Sequence, residues 1–383
     1  MAKVLLVDTN FSSGPIYEEL VLMGHDVHVV GNNPNDCLAK VSSNYWNLNY
    51  ADTDALSALV EEKKFDYLVP GCTDRSYISC TAINGGRFPG LDQVDACETI
   101  FNKGKFRLLA DRLGLPIPKR FSLDQNPSCW PIIVKPVDAF SGKGITVLQE
   151  GDKPTLEHAL KRAREASPTG ECLIEQFVDG QLYSHTTFLK DGKVVQDFIV
   201  KEDSTVNPFV VDTSRVLQGT PSNLLLRLRD CVENIAKELM LADGLLHTQF
   251  VSDGDDFWLI ETTRRCPGDL YSQLIELTTG YPYARSYALP FLGESISDFV
   301  GDLRIDPIMR HTVTLNSSQS FAYLRFKSAL QIERWTPLSI VGDRLKPSPQ
   351  SRVGILFCRA ANQQDLDQIY QRTLQRNLYE IHA

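Results

Sequence analysis

The chain has 383 residues, 43% of them hydrophobic and 23% charged, with a formal net charge of −9; the length suits two or three domains and the composition a globular protein in water. The acidic balance and the lack of a basic run speak against nucleic acid as a partner, because phosphate backbones require concentrated positive surface. No stretch is apolar for a bilayer's width, the start MAKVLLVDTN lacks a signal-peptide core, and nine scattered cysteines form no CxxC pair. The expectation is a cytoplasmic protein, off the membrane, without a zinc or disulfide site.

Strand and helix alternate through the first hundred residues. KVLLVD, Lys3 to Asp8, is a compact apolar run suited to a buried parallel strand. Ser12, Ser13 and Gly14 form a turn, and Pro15 suits the first turn of a helix that ends near Gly24. DVHVV gives a second strand, Asp52 or Thr53 caps a helix running to Lys64, and DYLVP gives a third strand ending at Pro70. The first strand-to-helix turn lacks GxGxxG and the chain lacks GxxxxGK[ST], which argues against a nicotinamide or flavin fold and against a P-loop.

From Asp95 the pattern changes. NKGKFRLLADRLGLPIP reads as an amphipathic helix closed by Gly114. PIIVKP is a strand running into the glycine-bearing DAFSGKGI, Thr155 to Ala166 is helical, and ECLIEQFV is a strand leading to a turn at Asp179-Gly180. Asp191-Gly192 and Asp253-Gly254 mark two hairpins, with a helix over Ser222 to Met240 between them. Helical pattern resumes after Asp269, and the last eighty or so residues read as a small α+β lobe packed on the rest. The expected units are 1–95, 96–300 and 301–383.

Chemistry concentrates in a spaced set of residues. Lys135 ends a strand before Ser141, Gly142, Lys143 and Gly144: a point charge for phosphate, followed by glycines that let backbone N–H groups approach its oxygens. Lys103 heads a helix upstream. Downstream, Glu175, Phe177 and Val178 form a strand-to-turn segment able to read a base edge. A hairpin carries Gln249 and Glu261, followed by Arg264 and Arg265; a carboxylate beside arginines suits Mg²⁺ and phosphate together, although a surface ion pair would look the same. His247 shares a sheet face with Gln249. Cys266 reads as structural, and Asp269 as a helix N-cap, with contact to a substrate amine as the alternative.

In this order the set resembles the ATP-grasp superfamily, in the style of its biotin carboxylase and amino-acid ligase branches, over roughly residues 1 to 290. The resemblance implies a Rossmann-like α/β domain ahead of a two-lobed ATP-grasp core, with ATP and Mg²⁺ as cofactors. Lys103, Lys135 and the loop Ser141 to Gly144 would meet the phosphates. Glu175 would accept from the adenine amino group, with the backbone at Phe177 and Val178 against the ring. Glu261 would bridge magnesium, and Arg265 would steady the acyl phosphate or the substrate carboxylate. The implied reaction joins a small-molecule carboxylate to an amine through an acyl phosphate; the sequence leaves the oligomeric state open, with a homodimer as one option.

Three positions depart from the family pattern. Gln249 stands where a first metal carboxylate is usual, Thr263 where an asparagine is, and Leu182 where a ribose-binding glutamate is. Gln249 and Thr263 still offer neutral oxygens to a metal, and Asp255 or Asp256 could compensate. Another acceptor, bicarbonate or a kinase substrate, stays open, as does a nucleotide-binding regulator with weakened catalysis.

Overall fold

The structure is a computed structural model and describes residues 1–123, 127–139, 142–296 and 303–383. Ser141 of the glycine loop lies outside the described residues. Among those described, no helix is long and apolar enough to cross a membrane. The architecture is mixed α/β, a parallel sheet followed by antiparallel ones.

Strands Lys3–Val7, Asp26–Gly31, Tyr45–Asn47 and Tyr67–Pro70 form a four-stranded parallel sheet with Lys3–Val7 second from one edge. Val4 to Val7 are fully buried, as expected where helices cover both faces of a parallel sheet. Asp8 and Asn10 follow the carboxyl end of the inner strand Lys3–Val7, and Cys72 that of its neighbour at the edge, Tyr67–Pro70; open α/β sheets bind ligands at such strand ends.

A second sheet joins Arg120–Phe121, Cys172–Gln176, Ile132–Pro136 and Thr146–Leu148, in that order, under the helix Lys153–Ala166. It has its own small core, in which Ile132, Val134 and Ile174 meet Ala159 and Ala163. Glycine loop and hinge therefore hang from one semi-independent lobe.

The third sheet has eight strands. Its order is Phe257–Thr263, Gly244–Ser252, Gln181–Lys190, Lys193–Asp203, Thr213–Val216, Ile308–Val313, Gly354–Arg359 and Gln331–Pro337. Side chains alternate across it as a period of two requires. Phe188 and Leu245 face the large core shared with the N-terminal sheet, while their neighbours Leu189 and Leu246 face the helix Ser222–Leu239 through Val232 and Ile235. Each such buried side chain contributes about 1.5–3 kcal/mol. The sheet runs without a break past residue 301, so the last eighty residues extend the central sheet as well as packing against it. Sequence alone shows no such continuity, since the pairing partners of short strands leave no local mark.

Candidate functional site

The nucleotide-side residues come from separate segments. Asn102 caps the helix Lys103–Leu113 by accepting from the Lys105 N–H, and the Lys103 N–H bonds to the Val137 carbonyl at 2.9 Å. Lys103 is thus fixed beside the end of the Lys135 strand. Its ammonium lies 3.1 Å from Glu261 across the groove. That ammonium is the main reason Glu261 is held down to about 2, against the effect of burial.

One turn along the same helix, Arg107 is fully buried and bonds Glu175 from Nε at 2.6 Å. Lys135 reaches the other carboxylate oxygen of Glu175 at 2.5 Å. Burial opposes charge on Glu175, but Lys135 and Arg107 outweigh it and lower its pKa. Burial lowers Lys135 as well, partly offset by Glu175. Lys103, Lys135, Glu175 and Glu261 therefore gather in one cluster, with Arg107 at its centre. One expectation needs correcting. The Glu175 carboxylate has no exposed surface and both oxygens are engaged, so it is not free for an adenine amino group. The backbone beyond it is the part left to meet a base; the Phe177 N–H itself is taken by the Pro131 carbonyl at 2.9 Å.

The hairpin of Gly244–Ser252 and Phe257–Thr263 sets Gln249 opposite Glu261, His247 opposite Thr263. A register shift follows Gln249: Phe250 pairs with Leu259, leaving Ile260 unpaired. The freed Ile260 carbonyl accepts from Arg107 Nη2 at 2.7 Å. The bulge thus ties the hairpin to the cluster and aims Glu261 at Lys103.

Gln249, Glu261, Thr263 and Arg265 line a cavity of about 390 Å³, together with His247 and Arg75. Arg265 bonds Asp74 from Nε at 2.7 Å, whereas Arg264 is turned inward onto Asp92 at 2.7 Å. The adjacent arginines are thereby separated, one at the cavity and one structural. His247 is buried edge-on to Tyr271, its Nδ1 unpartnered; burial, then Arg265, depress it to about 3. Cys266 is buried, and burial pushes its thiol well up, away from reactivity.

Asp269 is not an N-cap. It and Leu270 have φ of +54° and +56°, and Leu270 holds the cap position of the helix Tyr271–Thr279. The Asp269 carboxylate instead accepts from Arg352 at 2.5 Å and Thr312 at 3.2 Å. Two successive non-glycine residues in this region cost about 1–2 kcal/mol each, and such outliers cluster at functional sites.

Glu202 escapes sequence reading. It is buried on the strand Lys193–Asp203, lines the same cavity, and accepts from Gln249 Nε2 at 2.6 Å. Burial raises it, against hydrogen bonds from Ser184 and Gln249. Asp255 and Asp256, the suggested compensating acids, sit exposed at the hairpin turn, Asp256 engaged by Arg227 at 3.1 Å. Glu202 is the acid beside Gln249; only its alternation along a strand gave a signal. Among the described residues no three His, Cys, Asp or Glu side chains converge. The Glu261 carboxylate and the Gln249 amide oxygen, with Glu202 on the amide nitrogen, still suit a hard cation whose remaining oxygens come from phosphates. Lys143 lines a neighbouring cavity, and a Cβ on Gly142 would lie 2.7 Å from that of Phe209, so the glycine packs closely there.

A family model described as an ATP-grasp domain matches residues 128–273. The phosphoribosylamine–glycine ligase of Pyrococcus furiosus is 26% identical over 302 residues, which are 69% of this chain and 66% of that one. The carbamoyl phosphate synthase large chain of Rubrobacter xylanophilus is 24% identical over 63% of this chain; the match spans 24% of its own length. Among solved structures, the L-amino acid ligase of Bacillus licheniformis superposes with a TM-score of 0.80 at 19% identity, covering 100% of this chain and 98% of that one. At that identity the likeness speaks for the fold.

Proposed function

The chain belongs to the ATP-grasp superfamily, and from that premise we propose that it is an ADP-forming carboxylate–amine ligase. ATP phosphorylates a small-molecule carboxylate; the amine attacks the acyl phosphate and expels phosphate, giving an amide, ADP and phosphate. The observation that carries this reading is the convergence of Lys103, Lys135 and Glu261 from a helix head, a strand end and a hairpin.

Lys103 and Lys135, with the backbone of Gly142 to Gly144, would cradle the phosphates, and the segment at Phe177 and Val178 the adenine. Phosphoryl transfer needs mainly positioning and charge neutralisation. Glu261 and the carbonyl oxygen of Gln249 would hold Mg²⁺, with Glu202 taking the Gln249 amide hydrogens and so fixing which way that oxygen points. The ion supplies charge neutralisation at the transferring phosphate. Thr263 donates to Asp74 at 3.3 Å and is a weaker candidate ligand. Arg265, steadied by Asp74, would face the acyl phosphate. A homodimer remains part of the proposal, for which light scattering in solution is the measurement.

ADP release across panels of acids and amines, with amide detected by mass spectrometry, tests the reading. ADP formed only with bicarbonate, or a stable phosphorylated product, would replace it by another acceptor. Nucleotide bound without turnover on any pair would favour a regulator.

A further inference from the structure

The strand Arg344–Leu345 and the loop after it close a second cavity, of about 630 Å³. Val210, Val211, Asp269 and Arg352 line both cavities, so the two adjoin. Lys143 reaches the second cavity from the glycine loop, and Arg344, Lys346 and Arg352 from the C-terminal segment. In a chain of net charge −9 this is a local concentration of cations.

Its two acids are already engaged. Asp269 accepts from Arg352 and Thr312. Asp212 accepts from the Thr205 N–H at 3.0 Å, the Thr205 hydroxyl at 2.6 Å and the Thr213 hydroxyl at 2.9 Å. Lys143, Arg344 and Lys346 form no ion pair among the described residues. Gathered cations repel one another unless an anion sits between them. A second, independent observation points to the same ligand. Thr314, only 2% exposed, belongs to the wall of this cavity, and its hydroxyl has no hydrogen-bond partner among the described residues; a buried hydroxyl is costly to leave unmet.

The loop also holds these groups in place. The Lys346 N–H bonds to Ser351 Oγ at 3.0 Å, the Ser348 N–H to the Leu315 carbonyl at 2.9 Å, and Ser339 Oγ to the Arg352 carbonyl at 2.7 Å. Guanidinium and ammonium groups on a fixed backbone, with a hydroxyl donor, match the geometry of an oxyanion.

We propose that this cavity is a subsite for a second anionic group, a phosphate or an additional carboxylate, carried by one of the two molecules the ligase joins. This deepens the ligase reading and rests on it. The cavity adjoins the Glu261–Arg265 cavity at Asp269 and Arg352, which suits a group on the substrate better than a separate effector.

The test titrates the full chain by calorimetry with inorganic phosphate and, separately, malonate, each with and without Mg²⁺ and a non-hydrolysable ATP analogue. Phosphate binding more tightly identifies a phosphate-bearing substrate, and malonate a second carboxylate. The double variant Arg344→Ala/Lys346→Ala, altered at two exposed side chains, should weaken the preferred anion at least tenfold while leaving analogue affinity within twofold. Thr314→Val, nearly the same shape without the hydroxyl, should weaken it about threefold or more. Equal anion binding by parent and double variant, or no binding of either anion, overturns the subsite. Failure of the analogue to bind the parent would instead strike the ligase reading, and the nucleotide-free titrations still decide the subsite.

Discussion

The nucleotide-side cluster and the C-terminal cavity handle positive charge in opposite ways. In the first, every principal cation already has a carboxylate: Lys103 has Glu261, and Lys135 and Arg107 share Glu175. In the second, Asp212 and Asp269 are engaged elsewhere or by Arg352, and Lys143, Arg344 and Lys346 line the cavity with no ion-pair partner among the described residues. The difference separates two jobs. Buried charges must be matched for the chain to fold, because their desolvation is otherwise uncompensated; exposed charges can wait for a ligand at little cost in stability. A triphosphate entering the first region has to exchange partners, above all at Lys103, while an anion entering the second meets groups with nothing to give up.

Folding stability offers the sharpest way to break this contrast. Arg107→Met should cost about 3–5 kcal/mol, since it leaves Glu175 buried with a single cation and frees the Ile260 carbonyl. Arg344→Met should stay within about 0.5 kcal/mol. Urea unfolding of both variants is the measurement, and similar losses would erase the distinction.

Turnover should respond next most strongly. Glu261→Gln should lower ADP formation by about a hundredfold or more, on the scale of a lost charge-stabilising contact. Gln249→Glu should lower the magnesium concentration for half-maximal rate, because a hard cation prefers anionic oxygen. A magnesium titration following ADP release compares both with the parent. Normal turnover by Glu261→Gln would put the metal elsewhere.

Nucleotide affinity comes third. Lys135→Ala should weaken ATP-analogue binding at least tenfold, about 1.4 kcal/mol, in a chain that loses stability but still folds, since Arg107 keeps its bonds to Glu175 and to the Ile260 carbonyl. Unchanged affinity in a calorimetric titration would count against the phosphate role.

The smallest effect is in pH dependence. His247 is depressed to about 3 and His311 to about 4, both chiefly by burial. Their unfolded forms bind protons first, so the stability they support is complete above about pH 6.5 and drains away as pH falls toward 4. Glu276, pushed up by burial to about 7, acts in the opposite sense between about 7 and 4.5 and offsets one histidine. His247→Asn should therefore flatten the decline between pH 6.5 and 5 by up to one proton, at most about 1.4 kcal/mol per pH unit. Urea midpoints across that range show it; an unaltered slope would mean that His247 titrates normally.

Much of the frame was legible because its signals are local. Strand runs such as KVLLVD, the glycines after Lys135 and the turns at Asp191-Gly192 and Asp253-Gly254 need only a few neighbouring residues to be read. Side-chain destinations were not. Glu175 looked free because its partner Arg107 lies 68 residues away, in a helix whose pattern reads as an ordinary amphipathic face. Glu202 meets Gln249 only because the strand Gln181–Lys190 brings their strands within reach on either side of it. Asp269 reads as a cap by residue type, yet tertiary bonds to Arg352 and Thr312 hold it in a conformation that no local rule favours.

The unbroken eight-stranded sheet bears on how such a chain could be re-engineered. Thr213, Ser214 and Arg215 pair with His311, Arg310 and Met309, and Arg310 extends from that seam to the Asp269 carbonyl at 2.9 Å. A foreign C-terminal segment grafted to change substrate preference would have to reproduce this pairing to the residue. A slip of one place would turn His311 onto the face that Arg310 now occupies and reverse every side chain beyond it. The tail is thus less an exchangeable cassette than the far end of the same woven cloth, and variation in specificity has its freest room in the loop from Lys346 to Arg352, which the sheet carries but does not pair.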